Sequence, residues 1–302
     1  MGESTEGQQA DTLEFERHRP RLFALAYRLL GSASEAEDAV QDGFLRWHDA
    51  DRAAIRTPVA WLTTVVTNLC RNRLASARAR REEYVGPWLP EPVLTEDAAL
   101  GPLETAEQRE SVSLALLLLL ERLTPAERAV FVLREAFGYG HAEIAALLDL
   151  TEANSQQLHH RARQRVASDR RRFAATREHG RRVAERFLAA ARAGDLAALE
   201  QLLAEDVVAT ADGGGKATAA RRPITGRQIV ARYLSGLAAK PLPGVEIGFA
   251  EVNGQPAVVG TLAGVLLGAM ALDVAENGRI VAVHIVANPD KLAYLAAQLS
   301  TR

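Results

Sequence analysis

The 302-residue chain is 48% apolar, carries a net charge of −2 and has a single cysteine, Cys70. That length and apolar content suit two or three domains with cores of their own, and one cysteine excludes an internal disulfide framework and suits a reducing compartment. The near-neutral total hides blocks of opposite sign, and the blocks say more about partners than the sum does.

The opening MGESTEGQQADTLEFE is acidic and polar and is not a secretion signal. Residues 1–14 are read as a disordered acidic tail. Residues 15–84 follow as an all-helical unit. RPRLFALAYRLLG is an amphipathic helix stopped by Gly31. Ser34 with Glu37 reads as a capping box that opens EAEDAVQDGFLRWHDA. There Ala39, Val40, Phe44 and Trp47 fall at helical spacings, and Asp38, Gln41, Asp42 and Arg46 form a polar face. Thr57-Pro58 starts a third helix on which Trp61, Val65, Asn68 and Asn72 share a face. Arg71, Arg73, Arg78, Arg80 and Arg81 crowd its C-terminal half. Arginines there oppose the helix dipole, but interleaved with two asparagines they also suit a nucleic-acid face. Cys70 reads as a core thiol.

Residues 85–103 form an acidic, proline-rich linker that should be extended. Trp88 and Leu89 set it apart from a solvated tether, because large apolar groups prefer a groove. From Glu104 the pattern turns helical, and 104–176 is read as the next domain. Its longest apolar run, Leu114 to Leu120, is too short to span a bilayer and reads as a buried helix face, so no membrane partner is expected.

The stretch Thr124 to Val166 reads as three helices. Thr124, Pro125 and Glu127 make a capped start, and Val130, Leu133 and Phe137 give its apolar stripe, interrupted by Arg134. Gly138 and Gly140 stop that helix. His141 to Leu148 is a short second helix, Asp149-Leu150 a tight connection, and Thr151 the cap of a third helix. This is a helix-turn-helix pattern. On the third helix Leu158, Ala162 and Val166 point inward, while Gln156, Gln157, His160, Arg163 and Gln164 point outward. Glutamine can bond adenine edges, and arginine can bond guanine edges or phosphates. Arg161, Arg165 and the run Arg170 to Arg172 suit a DNA backbone. The alternative is an ordinary three-helix packing unit with a solvated basic face.

Residues 177–302 form a third, α+β unit. Two helices flank Gly194, GRQIVARYLSGLAA is another helix, and strands follow with hairpin signals at Asn253-Gly254 and Asn277-Gly278. NPDKLAYLAAQLS closes with a helix after Pro289. Asp212, Asp273 and His284 are candidates for a catalytic carboxylate and its partner, although Asp212 belongs to a turn and the other two suit outward strand positions. The DGGGK run is not a phosphate loop, since Lys216 is followed by Ala217 where Ser or Thr is needed. It reads as a glycine-rich bulge or as a surface for close approach of another segment.

EAEDAVQDGFLRWH, then TPVAWLTTVVTNLCRNRLAS, then TPAERAVFVLREAFGYGHAEIAALLDL with HHRAR, together resemble the sigma-70 family, in particular the compact extracytoplasmic-function (ECF) group. WLPEP and DGGGK resemble the subgroup that carries a fused SnoaL-like C-terminal domain. The resemblance implies two all-α domains, sigma domain two and sigma domain four with its helix-turn-helix, followed by an α+β SnoaL-like cone of curved antiparallel sheet. It implies that Asp38, Asp42, Phe44, Arg46 and Trp47 dock the beta-prime clamp helices of core RNA polymerase, whose beta flap is a further contact. Trp61, Asn68, Arg71 and Asn72 would face the minus-10 promoter element. Gln156, Gln157, His160, Arg161 and Arg163 would read the minus-35 element. Thr67 stands where the family usually has arginine. Trp88, Leu89 and Pro90 would meet Asp212, Gly213, Gly214, Gly215 and Lys216, with Asn288, Pro289, Asp290 and Lys291, so that the C-terminal domain replaces a separate anti-sigma protein. Promoter DNA and core polymerase are then the partners, the compartment is the cytoplasm, and neither catalysis, a cofactor nor a metal is implied. The rival reading is a ligand-sensing helix-turn-helix regulator that acts without polymerase.

Overall fold

A computed structural model describes residues 3–95, 111–167, 177–239 and 243–301. Contacts divide the chain into two units. One holds Met1–Arg80, Asp97–Leu103 and Leu119–Arg170; the other holds Arg81–Glu96, Glu104–Leu118 and Arg171–Arg302.

The first unit begins with α1 (Glu3–Leu30), α2 (Ala33–Asp49) and α3 (Pro58–Glu82). The disordered tail expected over 1–14 is corrected, since α1 starts at Glu3 and runs through Pro20. The physical reason is tertiary. Phe15 is fully buried, and the Trp47 indole donates to the Asp11 carbonyl at 3.1 Å, so the helix is anchored from Asp11 onward. Gly31 ends α1 at a φ of 68°. The cap of α2 is Ser32 and not Ser34: its hydroxyl accepts from the Glu35 amide at 3.1 Å. Only Gly31 and Ser32 separate the two helices, so α2 starts at Ala33, two residues earlier than a cap at Ser34 would place it.

The helix-turn-helix is built as the pattern expects. It comprises α5 (Pro125–Glu135), α6 (His141–Leu148) and α7 (Glu152–Ala167), and α4 (Leu114–Leu120) precedes it in the chain. Thr124 and Glu127 close a reciprocal capping box on α5, Asp149 turns the chain at a φ of 54°, and Thr151 accepts from the Asn154 amide at 3.2 Å. Leu158, Ala162 and Val166 are buried, and α7 packs on α5 and α6. Ser155, unusually polar for the start of such a helix, is fully buried and bonds His141 Nδ1 at 3.0 Å. On the opposite side α5 meets α1. Arg128 donates to the Arg28 carbonyl at 3.4 Å and pairs with Glu121 at 2.5 Å. Burial pushes Arg128 down to about 9. Leu114 also joins an apolar cluster of the second unit.

The second unit holds α8 (Arg177–Ala193), α9 (Leu196–Leu202), β1 (Leu203–Asp212), β2 (Ile224–Thr225), α10 (Arg227–Ala238), β3 (Val245–Val252), β4 (Gln255–Leu262), β5 (Val265–Val274), β6 (Ile280–Val286) and α11 (Pro289–Ser300). The strands form a six-stranded sheet in the order β2-β1-β6-β5-β4-β3. The α+β class agrees with expectation, but the sheet is mixed: β1 and β6 run parallel. Side chains alternate between its faces. One face buries Val207, Ala209, Leu272, Val274 and Val283 against α8, α9 and α10. The other buries Ala257, Val259, Ala269, Ala271 and Val286 with Leu292 and Leu295 of α11 and with Leu89 and Leu94. Asn253-Gly254 makes the expected two-residue hairpin, with φ of 54° and 74°. A second hairpin of that kind, Ala263-Gly264 at 50° and 80°, carries no asparagine to announce it. At Asn277-Gly278 only the glycine is left-handed, and the loop closes between Ala275 and Arg279.

Candidate functional site

Helix α7 presents Gln156, Gln157, His160, Arg161, Arg163 and Gln164 to solvent. The side chains of Gln156, Gln157 and Arg163 make no hydrogen bond with other described residues, whereas His160 Nε2 lies 3.0 Å from Gln164. Glu127 has a second task beyond capping α5. Its buried carboxylate accepts from Arg165 at 2.5 Å and lies 3.8 Å from Arg161, so the first turn of α5 orients the basic edge of α7. Arg170 to Arg172 lie outside the described residues.

On α3, Trp61, Asn68 and Arg71 are half-buried and Asn72 is exposed. Arg71 donates to Asn68 Oδ1 at 3.2 Å, which fixes the amide and leaves its NH2 group as the donor facing out. Thr67 is fully buried, so the position expected to bear an arginine contributes to the core instead. Cys70 is a core thiol, pushed up to about 12 by burial. On α2, Asp38 and Arg46 are exposed, and Asp42 and Phe44 are half-buried. Trp47, expected on the polymerase-docking face, is 2% exposed and is a core residue. Its ring lies 5.8 Å from Trp61, so the faces expected to meet polymerase and the minus-10 element share one aromatic support. Arg73 leaves the expected nucleic-acid cluster for a brace, bonding Asp42 at 2.6 Å and the Glu35 carbonyl at 3.1 Å. The side chains of Arg78, Arg80 and Arg81 lie outside the described residues.

The linker is extended and docked on the C-terminal domain. Leu89 through Thr95 are buried and Trp88 is half-buried. The anchor is Asp212, fully buried at the end of β1. Its carboxylate accepts from Tyr84 Oη at 2.5 Å, the Leu89 amide at 2.8 Å and Lys291 Nζ at 2.7 Å. Lys291 also donates to the Leu89 carbonyl at 2.6 Å and sits over the Tyr84 and Trp88 rings. Asn288 caps α11 with its oxygen, and its NH2 group donates to Tyr84 Oη at 2.8 Å. Burial and the bond to Asp212 hold the Tyr84 phenol well above its usual range. Glycine is required twice over at 214. Its φ is 55°, and a Cβ there would lie 2.2 Å from Asn288 Nδ2 and 2.7 Å from Tyr84 Oη. Farther along, Asn253 Oδ1 accepts from Val93, Gln298 Oε1 accepts from Leu94, and Thr95 donates to the Glu251 carbonyl. Lys216 and Asp290 pair at 2.5 Å on the surface. All twelve residues expected at this contact therefore belong to the same unit, and the buried anchor unites Leu89, Asp212 and Lys291. Tyr84, Asn253 and Gln298 were missed. Tyr84 read only as a domain end and Asn253 only as a turn residue.

Residues 15–80 match Sigma-70 region 2, and residues 113–166 match Sigma-70 region 4. Over 290 residues the chain is 39% identical to the ECF RNA polymerase sigma factor SigJ of Mycobacterium tuberculosis, covering 92% of each chain. It is 32% identical to the probable ECF RNA polymerase sigma factor SigI of the same organism, over 93% of this chain and 94% of the relative. The chain belongs to the ECF sigma factors. The crystal structure of M. tuberculosis SigJ superposes with a TM-score of 0.73 at 35% identity, covering 94% of this chain and 98% of that one. As a member of this family the chain directs promoter-specific initiation by RNA polymerase, with a C-terminal domain fused to its two sigma regions.

The catalytic candidates are placed differently from expectation. Asp273 and His284 are not outward strand residues. They are 1% and 5% exposed and pair at 3.0 Å across β5 and β6. They share the sheet face of Asp212, whose carboxylate is committed to the linker. Among the described residues, no group of three or more His, Cys, Asp or Glu is placed to hold a metal ion, and no helix is long and apolar enough to cross a membrane.

Proposed function

We propose that this sigma factor carries its regulator in its own chain, and that the regulator works by holding the linker. The observation that carries this is the buried clasp of Asp212 and Lys291 on Tyr84 and Leu89. A free linker is a flexible tether whose ends take many separations. A linker clamped at 84–95, with Leu114 also packed in the second unit, leaves fewer arrangements of the two sigma regions for polymerase and promoter to select. Intramolecular docking acts at an effective millimolar concentration, so a modest interface suffices. The C-terminal domain thereby stands in for a separate anti-sigma protein, without catalysis.

In this reading Asp38, Asp42, Phe44 and Arg46 meet the polymerase clamp helices, with Trp47 supporting them from beneath, and α4 to α7 meet the beta flap. Trp61, Asn68, Arg71 and Asn72 hold the opened minus-10 element. Unstacking a base costs a few kcal/mol, which stacking on an aromatic ring and hydrogen bonds to an amide offset. Gln156, Gln157, His160, Arg161 and Arg163 read the minus-35 element in the major groove. The protein would act in the cytoplasm, where polymerase and promoters are.

In-vitro transcription with core polymerase tests both parts. Full-length protein should start promoter-specific transcripts, and Asp212→Asn should change their yield or promoter range without abolishing polymerase binding. Identical transcription by the two proteins would remove the regulatory part. A promoter shift by the free protein, with no transcript in the presence of core polymerase, would favour the ligand-sensing regulator.

A further inference from the structure

Where the linker passes the glycine loop, its docked backbone leaves a cleft of about 330 Å³. One wall is Val85, Gly86 and Pro87 of the linker; the others come from the segment between Ala211 and Arg221. The cleft exists only while the linker is docked. Its ionisable lining residues are Lys216 and Arg221, both cationic, and no carboxylate lines it. Lys216 is shared with the exposed Asp290, while Arg221 makes no hydrogen bond or ion pair with a described residue. Gly86, Gly213, Gly214 and Gly215 contribute no side chains to fill the space. The wall beside Arg221 is held in place, because the Ala220 backbone bonds the Tyr233 hydroxyl on α10. A preformed cleft lined by an arginine with no partner among the described residues is the chemistry that receives an oxyanion, bidentate to that guanidinium.

We infer that this cleft binds a small molecule through a phosphate or carboxylate group, and that binding strengthens the docked state of the linker. A ligand that touches both walls stabilises docking by mass action, in proportion to its preference for the docked form. The binding claim stands apart from the regulatory reading above; only its effect on transcription rests on that reading.

The test is calorimetric titration of the full-length protein with inorganic phosphate and, separately, with citrate, against chloride at equal ionic strength. Saturable heat with phosphate identifies a phosphate site, and saturable heat with citrate alone a carboxylate site. Arg221→Gln should weaken whichever binds by about tenfold or more, equivalent to about 1.4 kcal/mol. Arg222→Gln, one residue outside the lining, should leave it unchanged. Thermal unfolding in the same salts should rise for the parent and for Arg222→Gln but not for Arg221→Gln. The inference is overturned if neither anion gives saturable heat at about 10 mM, a concentration that would reveal even a millimolar site. Equal binding by Arg221→Gln and the parent would overturn it as well.

Discussion

Helix α7 and the linker clasp hold similar polar side chains in opposite ways. On α7, Gln156, Gln157 and Arg163 stand in water with no hydrogen-bond partner among the described residues. In the clasp, Asp212 and Lys291 are buried, and each meets several partners of the same chain. Polar groups left unpaired on a rigid helix are available to an outside ligand. Polar groups satisfied inside a core specify how two segments fit and leave nothing over for an outsider. The difference separates surfaces that read from surfaces that hold, and substitutions on each side should fail differently.

The largest effect should come from the clasp. Asp212→Ala leaves Lys291 buried without its counter-ion and Tyr84 and Leu89 without their acceptor. Breaking a buried pair from one side costs about 3–5 kcal/mol, so guanidinium denaturation of the C-terminal domain should show a loss of that size. Trp47→Ala sharpens the contrast from the other region. As a core residue bonded to Asp11 it should cost about 3–5 kcal/mol in denaturation of the first unit. A docking residue on the surface would cost little stability and only polymerase affinity. Gly214→Ala comes next, at about 1–3 kcal/mol, because the left-handed backbone and the overlap with Asn288 and Tyr84 act together. Faster chymotrypsin cleavage at Trp88 would register it.

These contrasts also mark what the sequence could reveal. Capping boxes, glycine stops and helical spacing are local, so α5, α6 and α7 could be placed residue by residue from Thr124 onward. That the linker would seek a groove was legible because Trp88 and Leu89 are too apolar for a solvated tether, whereas the glycine loop as its partner followed only from the resemblance to the SnoaL-fused subgroup. What local patterns could not carry were the partnerships. Phe15 and Trp47 draw α1 upstream through a tertiary contact. Tyr84 reaches Asp212 across 128 positions of sequence. Asp273 and His284 look like outward strand residues until β5 and β6 bring them together under cover. Burial depends on what lies opposite in space, which the period of a strand does not record.

The reading surface should respond in the reverse sense. Arg163→Ala should leave thermal unfolding within about 0.5 kcal/mol of the parent, as a surface change does. It should nonetheless cost about 1–3 kcal/mol in promoter discrimination if it bonds a base edge. Transcription from the parent promoter and from single-base variants of its minus-35 element separates a base contact from a phosphate contact, which would weaken all of them alike.

The smallest effect is also the one that tests the clasp by pH. The Tyr84 phenol donates to Asp212 and accepts from Asn288, and its docked pKa is raised. In a free linker it would ionise near pH 10. A raised value in the docked state means that its contribution is fully present below about pH 10 and is lost as pH rises from there through the docked value. Near neutral pH, Tyr84→Phe should cost only about 1 kcal/mol, since Asp212 keeps its other two donors. Between about pH 8 and pH 11 the parent should therefore lose more stability than Tyr84→Phe, measured by guanidinium denaturation. Lys291 is common to both proteins, so its contribution cancels in the comparison to first order. Parallel pH profiles for the two would mean that the phenol leaves the carboxylate in solution, and that the clasp is held by Lys291 and the Leu89 amide alone.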